Sequence, residues 1–186
     1  MPNISEYFDQ IFSSEHVPSL TQNSISIIQS FLAYALDTEF QARSSKIISF
    51  FAEHLQTIRK SDEEQIDKNT EELYSTLISM LSYLRPPYIS SEFFLFAEKT
   101  ALHLLQNFSN LIQQASFSFL CTHYIQQRDH LTNEIYNLFN WIQSYFTNCK
   151  SSFQSINVQF FVIIASSIKH LIQKIIGPVD PNSQAK

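Results

Sequence analysis

Hydrophobic positions along this chain recur every three to four residues, which is the period of an α-helix. Ile66, Leu73, Leu77, Met80, Leu81 and Leu84 form one such stripe, and Leu131, Ile135, Leu138, Ile142 and Tyr145 another. A third, Ile47, Phe51, Leu55 and Ile58, leaves Arg43, Lys46 and Glu53 on the side that faces water. Read in this way, the pattern predicts helices over 3–13, 19–36, 39–59, 62–85, 90–108, 111–128, 130–148 and 153–176.

Start signals stand in front of several of these runs. Asn3 to Glu6, Ser19 to Gln22, Thr38 to Gln41, Ser61 to Glu64 and Ser151 to Gln154 each place a short polar side chain three residues before Glu or Gln. That spacing lets the first side chain accept from an orphan backbone N–H while the second reaches back. Pro18, Pro86-Pro87 and Pro178 fall at boundaries, where they interrupt no helical ladder.

Two runs depart from one-faced patterning. Phe93 to Ala97 and Phe160 to Ile164 are continuously apolar, so the helices 90–108 and 153–176 are expected to be the most buried. The fold class expected is all-α. Seven or eight antiparallel helices form either a compact bundle around a buried central helix or a short HEAT-like array. Residues 1–178 are expected to form a single domain, with 179–186 a flexible tail.

Composition sharpens this picture. The chain has 186 residues, 44% of them apolar, with seventeen Phe and eight Tyr. This is enough to fill a core, and it argues against disorder. Only one glycine occurs, Gly177. Phosphate-binding loops of the Rossmann and P-loop kinds need several at fixed offsets, so both are excluded.

The formal charge is −5. The twelve Lys and Arg residues are scattered, with no basic stripe of the kind that binds nucleic acid. Six acids, Asp62, Glu63, Glu64, Asp67, Glu71 and Glu72, gather within residues 61–72 beside a single lysine. They read either as an acid-rich helix start, stabilised by the helix dipole, or as a docking patch for a basic partner.

The N-terminus lacks a basic region followed by a long apolar core, and no apolar run reaches the ~20 residues of a membrane span. With only Cys121 and Cys149, a reducing, cytoplasmic setting is expected.

The strongest chemical suggestion lies in Phe117 to His130, FSFLCTHYIQQRDH. On a helix, Cys121 and His123 point about 160° apart and cannot act as nucleophile and base. As a strand they would share a side. The helical reading makes Cys121 a small buried hydrophobe and places His123 on the opposite face. His130 and Glu134 are four residues apart, yet no Glu-x-x-His or His-Glu-x-x-His motif accompanies them. His103 reads as a core histidine between Leu102 and Leu104. No metal or cofactor site is expected.

Trp141 and Tyr145 lie one turn apart and read either as core or as recognition anchors. With no catalytic constellation in view, the expected function is that of a non-enzymatic interaction module. It would bind a helix or peptide of another protein in an apolar groove, within a hetero-complex. The alternatives are a Phe-lined pocket for a small apolar ligand, a peripheral membrane protein using residues 156–176, and an enzyme whose site is assembled across helices.

Overall fold

The computed structural model describes residues 4–13, 16–61, 66–107 and 109–126, together with Asn140, Ile142 to Ser144, Thr147, Ala165, Ser166, Ile168, Lys169 and Gln173. All regular structure among the described residues is helical, as the periodicity predicts. Six α-helices follow in order: α1 (Ile4–Ile11), α2 (Gln22–Tyr34), α3 (Asp37–Lys60), α4 (Lys68–Met80), α5 (Ser91–Asn107) and α6 (Asn110–Gln126). Two 3₁₀ turns, Leu81–Tyr83 and Pro86–Tyr88, lie between α4 and α5. The chain divides into two compact units, Met1–Ser116 and Phe117–Lys186, at a point inside α6.

The helices start where polar side chains can serve their orphan N–H groups, which is not always where the motifs suggest. α2 begins after Thr21. The Thr21 hydroxyl accepts from the Ser24 N–H at 3.2 Å, and the Ser24 hydroxyl accepts from the Thr21 N–H at 3.0 Å. α3 begins after Leu36, which has no acceptor in its side chain, so only half the box exists. The Glu39 carboxylate accepts from the Leu36 N–H at 3.0 Å. α5 starts after Ser90, whose hydroxyl accepts from the Phe93 N–H at 3.3 Å.

The expected start of the fourth helix at Ser61 is corrected. Ser61 closes α3 instead, its hydroxyl donating back to the Thr57 carbonyl at 3.0 Å. Asp67 is the residue that opens α4.

The first unit is built around phenylalanine. Phe8 and Phe12 of α1 stack at 4.5 Å between ring centroids, and Phe8 lies 4.2 Å from Phe31 of α2. Phe12 meets Phe50 of α3 edge-on at 6.2 Å, Phe50 meets Phe51 at 5.7 Å, and Phe51 reaches Phe93 of α5 at 6.5 Å. Tilted and edge-on pairs of this kind suit the ring quadrupole. Ile25, Ile28, Ile47, Ile58, Leu77 and Ile78 fill the remaining interior. α1 packs on α2, α2 on α4, and α3 on both α4 and α5.

Polar ties sit at the rim of this core. Arg43 on α3 grips Asp9 on α1 through Nε at 3.1 Å and Nη2 at 2.6 Å, and Lys46 adds a longer contact at 3.6 Å. The Ser5 hydroxyl donates to Glu39 at 2.7 Å. Burying Phe8 contributes ~1.5–3 kcal/mol, whereas an ion pair this open to water contributes ~0.2–1 kcal/mol. Rings therefore hold α1, and charges set its register. His54 accounts for a further tie, since its Nε2 lies 2.9 Å from the Pro18 carbonyl and its ring packs edge-on against Phe50.

Burial differs from the sequence expectation in one respect. In α5 the apolar run is not enclosed all round, because Leu95 is exposed while Phe93, Phe94 and Ala97 are buried. α6 is the more enclosed helix. Between Ala115 and Tyr124 every residue is buried except Ser118 and Thr122, and those two are half-buried. Most of the expected helices 130–148 and 153–176 lies outside the described residues.

Two consequences are measurable. Phe50→Ala removes a ring that touches both α1 and α3 neighbours and is expected to cost about 3–5 kcal/mol, read as a lower urea midpoint. Asp9 is held below its ordinary value of 3.8, chiefly by the hydrogen bonds from Arg43. A depressed carboxylate stabilises the fold above its unfolded pKa, and that contribution is lost as pH falls through the folded one. The stability gap between the wild type and Asp9→Asn is therefore expected to stay constant from neutral pH to about 5 and to narrow in more acidic urea titrations.

Candidate functional site

The turn between α2 and α3 carries the most exposed large apolar side chains among the described residues, and one arginine organises it. The path of the chain explains why. Leu84 and Arg85 precede Pro86 and Pro87, and a residue before proline is pushed out of the helical region. Arg85 accordingly sits at φ −102°, ψ 107°, and the prolines open the following 3₁₀ turn.

From there the Arg85 guanidinium reaches back to the end of α2. Nη2 donates to the Ala35 carbonyl at 2.8 Å and to the Leu32 carbonyl at 3.2 Å, and Nη1 donates to Asp37 at 2.7 Å. The guanidinium also lies over the Phe40 ring at 4.7 Å. A cation at a helix C-terminus is favoured by the dipole and meets carbonyls that have no intrahelical partner. Asp37, at the first position of α3, is favoured by the opposite pole. The Tyr88 ring lies 6.0 Å from Phe40. Its hydroxyl is held above the ordinary 10.0, first by loss of solvation and then by the Asp37 charge, and it stays neutral at physiological pH.

This brace fixes an otherwise open turn. Ala35 and Leu36 are both extended, at φ −62°, ψ 142° and φ −66°, ψ 156°. α2 thus ends at Tyr34, two residues before the expected boundary, and the change of direction turns side chains outward. Tyr34 is 80% exposed and Leu36 is 69% exposed. Tyr83, 47% exposed, lies two residues from Arg85. The arrangement presents apolar and phenolic groups on a pinned backbone, which is the chemistry of a binding surface.

The residues singled out from sequence fall elsewhere. Asp67 is the N-cap of α4. Its Oδ1 accepts from the N–H groups of Asn69 at 2.9 Å and Thr70 at 3.0 Å, and its Oδ2 accepts from the Thr70 hydroxyl at 2.7 Å. The Thr70 hydroxyl bond is the main reason its carboxyl is held below the ordinary value. Glu71 is half-buried and accepts from the Ser109 hydroxyl, at the start of α6. Glu72 is exposed. Asp62, Glu63, Glu64, Trp141 and Tyr145 lie outside the described residues, as do His130 and Glu134.

The described part of the suspected chemical cluster, Phe117 to Gln126, is helical, and Cys121 is buried in it. His123 is not on a wet face. It is only 4% exposed, stacked on Phe119 at 5.6 Å and tilted against Tyr124 at 5.8 Å. The opposite directions of Cys121 and His123 are retained, but both sides of the helix are enclosed. His103 is half-buried where a core position is expected, whereas Glu98, one turn earlier, is buried. Among the described residues, no three His, Cys, Asp or Glu side chains converge as a metal site would require.

Sequence reasoning missed Arg85, Tyr34, Leu36 and Tyr83. The available signal is Arg85 standing before two prolines, which forces an extended backbone next to the end of a helix. Comparison with known proteins finds no matching family model, no matching curated protein and no matching solved structure.

Arg85→Gln keeps the stem but cannot serve two carbonyls and a carboxylate together. It is expected to lower unfolding stability by about 1.5–3 kcal/mol, measured by urea titration. Hydrogen exchange is expected to rise first at the end of α2.

Proposed function

We propose that this chain is a non-enzymatic protein–protein interaction module, working in the cytoplasm as a subunit of a larger complex. The observation that carries the reading is the pair Tyr34 and Leu36, exposed on a turn that Arg85 pins through two carbonyls and a carboxylate. Single exposed apolar residues are ordinary on protein surfaces. Here two come from one short turn, with Tyr83 close by in sequence to the residue that braces it. A surface already held in place loses little freedom on binding. Tyrosine and arginine are also the side chains that most often anchor interfaces.

The packing of the phenylalanines favours this reading over a Phe-lined ligand pocket. In the first unit the rings stack on one another at centroid distances of 4.2 to 6.5 Å. They therefore serve as core. No helix among the described residues is long and apolar enough to cross a membrane.

The test is affinity capture from native extract with wild type and a Tyr34→Ala, Leu36→Ser double variant. The variant is expected to match wild-type unfolding within about 0.5 kcal/mol per site while losing the partner that wild type recovers reproducibly. Retention of that partner by the variant would refute this surface. A strictly monomeric chain that instead co-purifies a small apolar ligand would refute the interaction reading.

A further inference from the structure

The break between α2 and α3 falls where the local sequence favours helix. No glycine or proline occurs from Gln22 to Lys60, and the two residues at the break, Ala35 and Leu36, are of the best helix-forming types. Both are nevertheless extended. The helical ladder runs as far as the Ala35 N–H, which donates to the Phe31 carbonyl at 2.9 Å. It resumes with the Phe40 N–H, which donates to the Leu36 carbonyl at 2.9 Å. The amides of Leu36 and Glu39, which in an unbroken helix would donate to the Leu32 and Ala35 carbonyls, lie in the gap. Those are the two carbonyls that Arg85 takes, at 3.2 and 2.8 Å. The Leu36 N–H is diverted to the Glu39 carboxylate at 3.0 Å, and Asp37 accepts from Arg85 at 2.7 Å.

The bend is sharp. In one straight helix Phe31 and Arg43 would stand ~18 Å apart along the axis, whereas the Arg43 guanidinium lies 5.8 Å from the centre of the Phe31 ring. α1 needs both arms of this bend, since Phe8 packs on Phe31 while Asp9 takes Arg43.

We propose that Arg85 is the latch of a hinge between α2 and α3, and that on its release residues 22–60 run as one helix and two copies of the chain exchange α1 and α2. Straightening carries Phe31, and α1 with it, away from α3 of the same chain. The surface that fits them is then α3 and α4 of a second copy. The exchanged form keeps the contacts of the closed one, with Asp9 on Arg43, Phe12 on Phe50 and α2 on α4, each now between copies. Because the core is the same in both forms, the balance rests on the hinge and on the cost of association. The exchange goes beyond the reading given for the turn, and it needs no second protein.

The experiment is light scattering on the full-length chain after size-exclusion chromatography, over a series of concentrations. Arg85→Gln is expected to dimerise at least about tenfold more tightly than wild type. Adding Leu36→Pro is expected to return it to monomer, because φ of −66° at Leu36 suits proline and a helix interior does not. In the isolated dimer, the Asp37 and Thr38 amides, which have no intrahelical partner at the start of α3, are expected to gain protection from hydrogen exchange. A folded Arg85→Gln chain no more dimeric than wild type would overturn the proposal, as would a dimer indifferent to Leu36→Pro.

A second measurement leaves Arg85 intact and decides if that variant does not fold. One chain carries Asp9→Arg, and another carries Arg43→Glu with Lys46→Glu. Each repels its own α1 when closed, whereas both sites of a mixed exchanged dimer are matched in charge. Refolded together from urea, the two are expected to form mixed dimers in excess of the random share, read by native mass measurement. A random share, or no dimer, overturns the exchange.

Discussion

A helix in the first unit has to end without glycine. The only glycine, Gly177, lies far beyond the helices of the first unit. The usual close, a residue in the left-handed region that folds its N–H back onto the last turn, depends on glycine's lack of a Cβ. The caps observed here take the other course. Ala35, Ser61 and Leu84 all leave their helices in the extended region, with ψ of 142°, 146° and 140°. An extended exit straightens the chain and leaves the final carbonyls to be satisfied by something else. At α3 the Ser61 hydroxyl bonds to the Thr57 carbonyl. At α2 it is Arg85, from more than forty residues away, that reaches Leu32 and Ala35. The lack of glycine thereby converts a local problem of helix termination into a long-range tie, and that tie holds the turn with the most exposed large apolar side chains among the described residues.

The same composition explains how many hydroxyls within the helices find a partner. Many serines and threonines lie within helices and donate to the carbonyl four residues back. Ser26 does so to Gln22, Ser30 to Ser26, Ser79 to Ser75 and Thr122 to Ser118. Such bonds compete weakly with the helical ladder, yet they let a hydroxyl face the interior without an unsatisfied donor. Thr100 is the clearest case, fully buried with its hydroxyl on the Phe96 carbonyl at 2.9 Å.

Helical identity was legible because it depends on periodicity. The six stretches predicted between residues 3 and 128 correspond to the six α-helices over the same span, and Ser90 marks the start of α5 within one residue. Boundaries were less legible for a definable reason. In a sequence rich in Ser, Thr and Gln, the spacing of a capping box recurs by chance, and geometry decides which copy is used. Thr21 rather than Ser19 caps α2, and Asp67 rather than Ser61 caps α4. The candidate surface was not legible, since it depends on a contact between residues 85 and 35. No local pattern encodes that pairing. His123 is a similar case: helical periodicity gives its direction, but direction does not reveal whether that side is covered, and His123 is buried.

Glu39 links the α2–α3 turn to α1. One carboxylate oxygen accepts from the Leu36 N–H at 3.0 Å, fixing the first turn of α3 next to the exposed Leu36. The other accepts from the Ser5 hydroxyl at 2.7 Å, setting the register of α1. Four residues on, Arg43 points the opposite charge at Asp9, and its guanidinium lies 5.8 Å from the centre of the Phe31 ring. The first turns of α3 therefore carry three duties at once. Asp37 receives Arg85, Glu39 caps the helix and seats α1, and Arg43 holds the acid of α1 against the aromatic core. Few other positions could supply them, because the chain has so few charges. Two ion pairs, Asp37 with Arg85 and Arg43 with Asp9, thus meet on the first turns of α3, and hydrophobic packing does the rest.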